Sequence, residues 1–127
     1  MRLAYARIVT QNVESLARFY QEITGIPPIG SEDYVELKTV GATLAISSKR
    51  SVDLFNAGAA EPAANRSVIV DFEVEDVDRE RARLRDLVAN VVLEPTDQPW
   101  GNRSMLFRDP DGNLINFFTR MNRTVPA

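Results

Sequence analysis

The 127-residue sequence predicts an α+β chain: two βαβββ modules whose curved mixed sheets surround a shared concave pocket. Three observations predict it. The chain says nearly the same thing twice. Each time, an alternating strand leads to an Asn or Asp at a helix N-cap position and then to apolar residues at helical spacing. Each time the passage ends in a hairpin: "YVELKTVGATLAIS" (34–47) with Gly41, and "MLFRDPDGNLINFF" (105–118) with Gly112. One such module leaves a sheet face uncovered, whereas two can curve their sheets around a common surface.

The elements follow in order. Residues 3–11 alternate as a strand. Asn12 caps a helix whose stripe is Val13, Leu16, Phe19, Tyr20 and Ile23, ending at Gly25. A Pro-containing loop precedes the first hairpin. Residues 49–66, rich in Ala, Asn and Gly, read as a linker with a helical turn around Val52-Asp53-Leu54-Phe55. "SVIVDFEV" (67–74) opens the second passage. Asp76 is its N-cap, and Val77, Leu84, Leu87 and Val88 form the second stripe, with Asp78 and Glu80 where the helix dipole favours acids. Arg79, Arg81, Arg83 and Arg85 are interleaved with acids and read as a solvated face rather than a basic patch. In the last hairpin, Asp109-Pro110-Asp111-Gly112 supplies Pro where φ is preset and Gly where φ turns positive. The expected organisation is a single domain, 1–127: module 1 about 1–48, linker 49–66, module 2 about 67–120 and a tail 121–127.

Alternation assigns the faces. The helices cover the more apolar side, which takes Ala6, Ile8, Leu44, Ile46, Val68, Val70, Phe72, Val74, Ile115 and Phe117. The opposite side then carries Tyr5, Arg7, Val9, Thr43, Ala45, Ser47, Ile69, Asp71, Glu73, Leu114, Asn116 and Phe118, a polar–apolar mixture typical of ligand pockets. Asn116 stands out, because Asn is a poor strand former and sits between Ile115 and Phe117.

Composition narrows the chemistry. The chain has no Cys and no His, which removes thiolate chemistry, the commonest general base and the commonest metal ligand. Net charge is −3 with both signs interspersed, so no electrostatic footprint for nucleic acid or an anionic membrane is present. No apolar run has transmembrane length and the N-terminus lacks a signal-peptide core, so a cytoplasmic location is expected. The Asn-x-Ser/Thr triplets at Asn65, Asn102 and Asn122 then read as chance matches.

Three side chains read as ligand contacts. Arg7 has the fork that grips a carboxylate or phosphate, Trp100 the ring to stack on a planar or cationic group, and Asn116 the donors and acceptor for an amide or hydroxyl. The structural readings stand beside them: Arg7 neutralising Asp71, Trp100 as a lid over the core, Asn116 satisfying backbone groups or water. Tyr5, Glu36, Ile69 and Phe118 complete the ligand-side candidates. Asp71 and Glu73, two apart on one strand face, are the candidate acid/base pair, with the alternative that Glu73 lies in water and Asp71 pairs with Arg7.

Nearly the whole chain resembles the vicinal oxygen chelate superfamily of glyoxalase I, extradiol dioxygenases, fosfomycin-resistance enzymes and bleomycin-resistance proteins. The stretches that carry the resemblance are "NVESLARFYQEITG", "FEVEDVDRERARL" and "PWGNRSMLFRDPDGNLINFF". The resemblance implies metal-ligand positions seven residues before each N-cap and four after each hairpin Gly. These fall on Tyr5, Ile69, Ala45 and Asn116, which supply no carboxylate, imidazole or thiolate. "DPDGN" lacks the Gly and Glu placement of a calcium loop. The expectation is therefore a metal-free small-molecule-binding protein without cofactor, a homodimer, similar in role to bleomycin-resistance proteins. Trp100 and Arg103 approximate the W-x-x-R stretch of those proteins. The alternatives are a lyase, isomerase or dioxygenase-like enzyme using carboxylates or a cation displaced to Glu36, Asp71 or Glu73, and a non-catalytic dimerisation or regulatory module.

Overall fold

The first strand, β1 (Tyr5–Thr10), ends where Asn12 turns the chain into α1 (Val13–Thr24). The Asn12 side chain accepts from the Ser15 amide at 3.0 Å, and α1 stops at Gly25, whose φ of 74° lets its amide reach Gln21 O. Three strands follow, β2 (Ile29–Ser31), β3 (Tyr34–Lys38) and β4 (Thr43–Ser48), then α2 (Lys49–Asn56). The pattern repeats as β5 (Ile69–Glu73), α3 (Val77–Arg83), β6 (Val91–Asp97), β7 (Asn102–Arg108) and β8 (Leu114–Arg120). The computed structural model describes residues 1–121, so the tail 122–127, with the Asn122 triplet, lies outside the described residues.

The chain divides into two units, Met1–Asn65 and a second that begins at Arg66. Each holds one four-stranded mixed sheet, in the order β1-β4-β3-β2 and β5-β8-β7-β6 respectively. In both, the first strand runs parallel to the last and the remaining pairs are antiparallel. The fold is α+β with paired βαβββ modules, as the sequence predicts.

In the first unit, α1 buries Val13, Leu16, Ala17, Tyr20 and Ile23. Leu37, Leu44 and Ile46 of β3 and β4, the strands α1 packs on, are also buried. In the second, Val77 and Leu84 are buried with Met105, Phe107, Ile115 and Phe117. Phe117 meets Phe107 and Phe72 edge to face, with ring centroids 5.1 and 5.7 Å apart. Each fully buried Val, Leu, Ile, Met or Phe among them contributes about 1.5–3 kcal/mol.

Several expectations need correction. The second stripe is shorter than its spacing suggests: α3 ends at Arg83 and Leu87 is 38% exposed, because the chain leaves the helix in a turn. Val68 precedes β5 and is exposed, and Ala6 lies exposed on an edge strand, so neither packs under a helix. The expected helical turn in the linker is the eight-residue helix α2, capped by Ser48, whose hydroxyl accepts from Ser51 N at 3.0 Å. Gly41 matches Gly112 in position but not in conformation, since Gly112 has φ 86° and Gly41 is not among the residues at positive φ. The solvated reading of α3 holds: Arg79, Arg81 and Arg83 pair with Glu75, Glu94 and Glu80.

The β7–β8 turn depends on Asp109, which is only 5% exposed. Its Oδ1 accepts from the amides of Asp111 and Asn113, both at 2.9 Å, and its Oδ2 from Asn113 Nδ2 at 2.8 Å. Backbone bonds from Gly112 N to Asp109 O and from Asp109 N to Asn113 O close the loop, each at 3.0 Å. We predict that Asp109→Ala costs about 2–3 kcal/mol, because buried donors lose a charged acceptor, and that Asp109→Asn costs about half as much. Urea unfolding checks it: the midpoint should fall with an unchanged slope, and a midpoint within error of the unsubstituted protein would refute the clamp.

Candidate functional site

Asn116 reaches the ligand side of the second sheet because β8 alternates. Ile115 and Phe117 are committed to the core, so Leu114, Asn116 and Phe118 face the other way and are half-buried. Pairing then sets its neighbours. Asn116 lies opposite Asp71 on β5 and Leu106 on β7, while Phe118 lies opposite Glu73 and Ser104. Asn116 Nδ2 donates to Asp71 Oδ1 at 3.0 Å. This fixes the amide, and its Oδ1 is buried without a hydrogen-bond partner. Such an acceptor costs about 1–3 kcal/mol unless water or a ligand donates to it. Within its own unit, Asp71 thus takes Asn116 as its partner. The cross-strand register is the cause.

The other second-unit candidates sit around this pair. Glu73, expected in water, is half-exposed and lies 3.5 Å from Arg120 Nε. Arg120 also stands 5.9 Å from the Phe118 ring centroid, a cation–π arrangement. Ile69 is exposed at the start of β5. Trp100 is 69% exposed in the turn before β7, where Gly101, at φ 96°, donates to Gln98 O. It does not serve as a lid over its unit's core. Arg103 is held by Asp78, at 2.8 and 3.0 Å, and by Asp97, at 2.8 Å. Those hydrogen bonds raise its affinity for the proton further and lower the pKa of Asp78. Arg103 is therefore a structural cross-link between α3 and the β6–β7 hairpin.

In the first unit, Arg7, Ala45 and Glu36 share one register row across β1, β4 and β3. Ala45, expected to line the pocket, is 0% exposed, as befits a single methyl between two strands bearing long side chains. Ser47 is also buried. Glu36 accepts from the Tyr34 hydroxyl at 2.8 Å. Partial desolvation, and then this carboxylate, push the Tyr34 phenol above its ordinary pKa, while Arg7 opposes them. The Arg7 side chain is exposed and makes no hydrogen bond or ion pair among the described residues. Tyr5 is exposed at the head of β1. A cavity of about 490 Å³ opens beside Arg7, between this face and α2. The sequence pattern gives only one turn of α2 and does not give the Asp71–Asn116 pair. Their signals were Ser48 three residues before Ser51, and equal offsets of Asp71 and Asn116 from the strand starts in the repeat.

Tyr5, Ala45, Ile69 and Asn116 do not fit a divalent cation. Ala45 and Ile69 offer no donor atom, Tyr5 offers a neutral phenol, and the Asn116 amide is already bonded to Asp71. Among the described residues, no three His, Cys, Asp or Glu side chains are grouped to hold a metal ion.

Residues 2–117 match the family model described as Glyoxalase/Bleomycin resistance protein/Dioxygenase superfamily. The uncharacterized protein YraH of Bacillus subtilis (strain 168) is 26% identical over 125 residues, spanning 93% of this chain and 98% of YraH. Two solved structures share the fold. One is a glyoxalase/bleomycin resistance protein/dioxygenase family enzyme from Burkholderia phytofirmans PsJN, with TM-score 0.84, 17% identity, and coverage of 94% of this chain and 99% of that one. The other is a glyoxalase/bleomycin resistance protein/dioxygenase from Nocardioides, with TM-score 0.80, 22% identity, and coverage of 100% and 88%.

The geometry at Asn116 makes a stability prediction. Asn116→Leu removes one hydrogen bond to an exposed carboxylate, which water can replace, and also removes an unpaired buried oxygen. The two effects oppose each other, and the variant should unfold within about 1 kcal/mol of the unsubstituted protein. A thermal melt checks it, and a loss of several kcal/mol would mean that the amide is a structural element of the sheet.

Proposed function

The chain belongs to the Glyoxalase/Bleomycin resistance protein/Dioxygenase superfamily, and from that premise we propose that it is a metal-free small-molecule-binding protein. The observation that carries the reading is Asn116. It stands where the resemblance expects a metal-binding Glu, its amide is anchored by Asp71, and its buried carbonyl oxygen has no partner. Such an oxygen suits a ligand N–H or O–H better than a cation, which needs several anionic or imidazole donors at once. The ligand contacts we propose are Arg7, with Tyr5 and Glu36, in the first unit, and Asn116 and Trp100, with Ile69 and Phe118, in the second. No described helix is long and apolar enough to cross a membrane, and a cytoplasmic protein that sequesters its ligand is the location and role we propose.

Untagged protein should carry no stoichiometric zinc, iron, nickel or manganese by elemental analysis, and native mass spectrometry should detect an organic adduct. One such metal ion per chain would overturn the metal-free reading, and the absence of any adduct across mild preparations would count against binding. Asn116→Glu alone should not create metal uptake, because Tyr5, Ala45 and Ile69 remain non-ligating. We also propose a homodimer, since both sheets end in an open edge strand, β1 or β5, with exposed apolar side chains such as Tyr5 and Ile69. Light scattering at micromolar concentration should return twice the chain mass of 14.2 kDa, and a clean monomer would contradict this.

A further inference from the structure

The cavity beside α2 has a composition of its own. One wall is the sheet face at Arg7, Val9 and Ser47, and the other is α2 and the chain after it, with Val52, Phe55 and Asn56. Its volume of about 490 Å³ lies within the ordinary range for ligand sites. Arg7 is the one charged side chain in the lining, and no carboxylate is among the lining residues.

That charge is not drawn into the ion pairs that hold most of the other basic side chains. Arg18, Lys49, Arg50, Arg79, Arg81, Arg83, Arg103 and Arg120 all lie within ion-pair distance of acids on their own units. Among the described residues Arg7 does not, and neither do Arg2, Lys38, Arg66, Arg85 or Arg108, but of these only Arg7 lines the cavity. The second observation is α2 itself. It buries no residue completely, and Val52 and Phe55, one turn apart, line the cavity rather than a core, with Phe55 83% exposed. An amphipathic helix normally buries its apolar face. Here that face looks onto a space floored by a guanidinium with no ion-pair partner among the described residues.

We propose that this cavity binds a small organic anion with an apolar or aromatic body. The Arg7 guanidinium takes the anionic group through paired N–H donors. Val9, Val52 and Phe55 flank the apolar part, and the neutral polar groups of Ser47 and Asn56 tolerate its polar substituents. The proposal rests on the reading of the chain as a small-molecule-binding protein, and it names the ligand class and the place.

Four probes of one skeleton test it on the full chain: phenylacetate, phenyl phosphate, neutral phenylacetamide and cationic phenethylamine. Binding is followed by amide chemical shifts in NMR spectra at fixed ionic strength. Phenylacetate should move the amides of Val9, Ser47, Val52 and Phe55, and should bind at least about tenfold more tightly than phenylacetamide or phenethylamine. The phosphate arm decides whether the anion is a carboxylate or a phosphoryl group. Arg7→Gln should reduce phenylacetate to the level of the amide, and Phe55→Ser should weaken it about tenfold. Both positions are exposed, so melting temperatures should stay unchanged. Arg85→Gln should leave binding as it was. Equal binding of phenylacetamide, or no shifts with either anion, overturns the proposal. Shifts confined to Asp71, Asn116 and Phe118 overturn this site and leave the binding-protein reading standing. That broader reading fails separately, if native mass spectrometry of the purified protein finds no organic adduct.

Discussion

The register of β8 is the constraint on which the second unit depends. Side chains alternate with period two, so a slip of one residue would carry Asn116 into the core and expose Ile115 and Phe117. Two devices prevent it. The aromatic contacts of Phe117 with Phe107 and Phe72 reward one register. The Asp109 carboxylate, holding the Asp111 and Asn113 amides and the Asn113 side chain, closes the turn at one length. Arg108 adds a bond from Nη1 to Gly112 O at 2.9 Å. With β8 set this way, parallel pairing to β5 places Asp71 opposite Asn116, and the amide can be oriented by a single hydrogen bond.

The two units have one topology and differ in chemistry on the face away from α1 or α3. The row Arg7–Ala45–Glu36 in the first corresponds to Asp71–Asn116–Leu106 in the second. The first row places a cation and an anion two strands apart, roughly 10 Å at ordinary strand spacing, with a methyl group between them, and Glu36 takes the Tyr34 hydroxyl as its partner. The second joins its acid and its amide directly. One face therefore keeps an uncommitted guanidinium, and the other keeps an uncommitted carbonyl oxygen.

The legible parts of the fold were those written in local pattern. Asn12 and Asp76 cap α1 and α3 as their positions imply, Gly25 and Gly112 take positive φ, and the alternation of β4 and β8 correctly separates Leu44, Ile46, Ile115 and Phe117 from their neighbours. Where packing decides, the sequence says less. Ala45 and Ser47 face the ligand side yet are buried, because a strand pattern gives direction and not depth. Leu87 has the right spacing for α3, but the helix has already ended. Lys49–Asn56 is poor in Ala and Leu and rich in polar residues, so its pattern points to no more than a turn, and its helix owes much to the Ser48 cap. The Asp71–Asn116 bond joins residues 45 apart and follows only once the pairing of β5 with β8 is known.

The central claim is that Asn116 offers an amide, held by Asp71, at the position where the resemblance implies a metal-binding acid. Cobalt(II) titration of isotopically labelled protein, followed by paramagnetic effects on amide resonances, tests it most directly. The account predicts weak, diffuse broadening spread over exposed carboxylates such as Glu14 and Glu75, with the Ile69 and Asn116 signals no more affected than the rest. Saturable broadening or pseudocontact shifts centred on Asn116 and Ile69 at one equivalent of cobalt would contradict it.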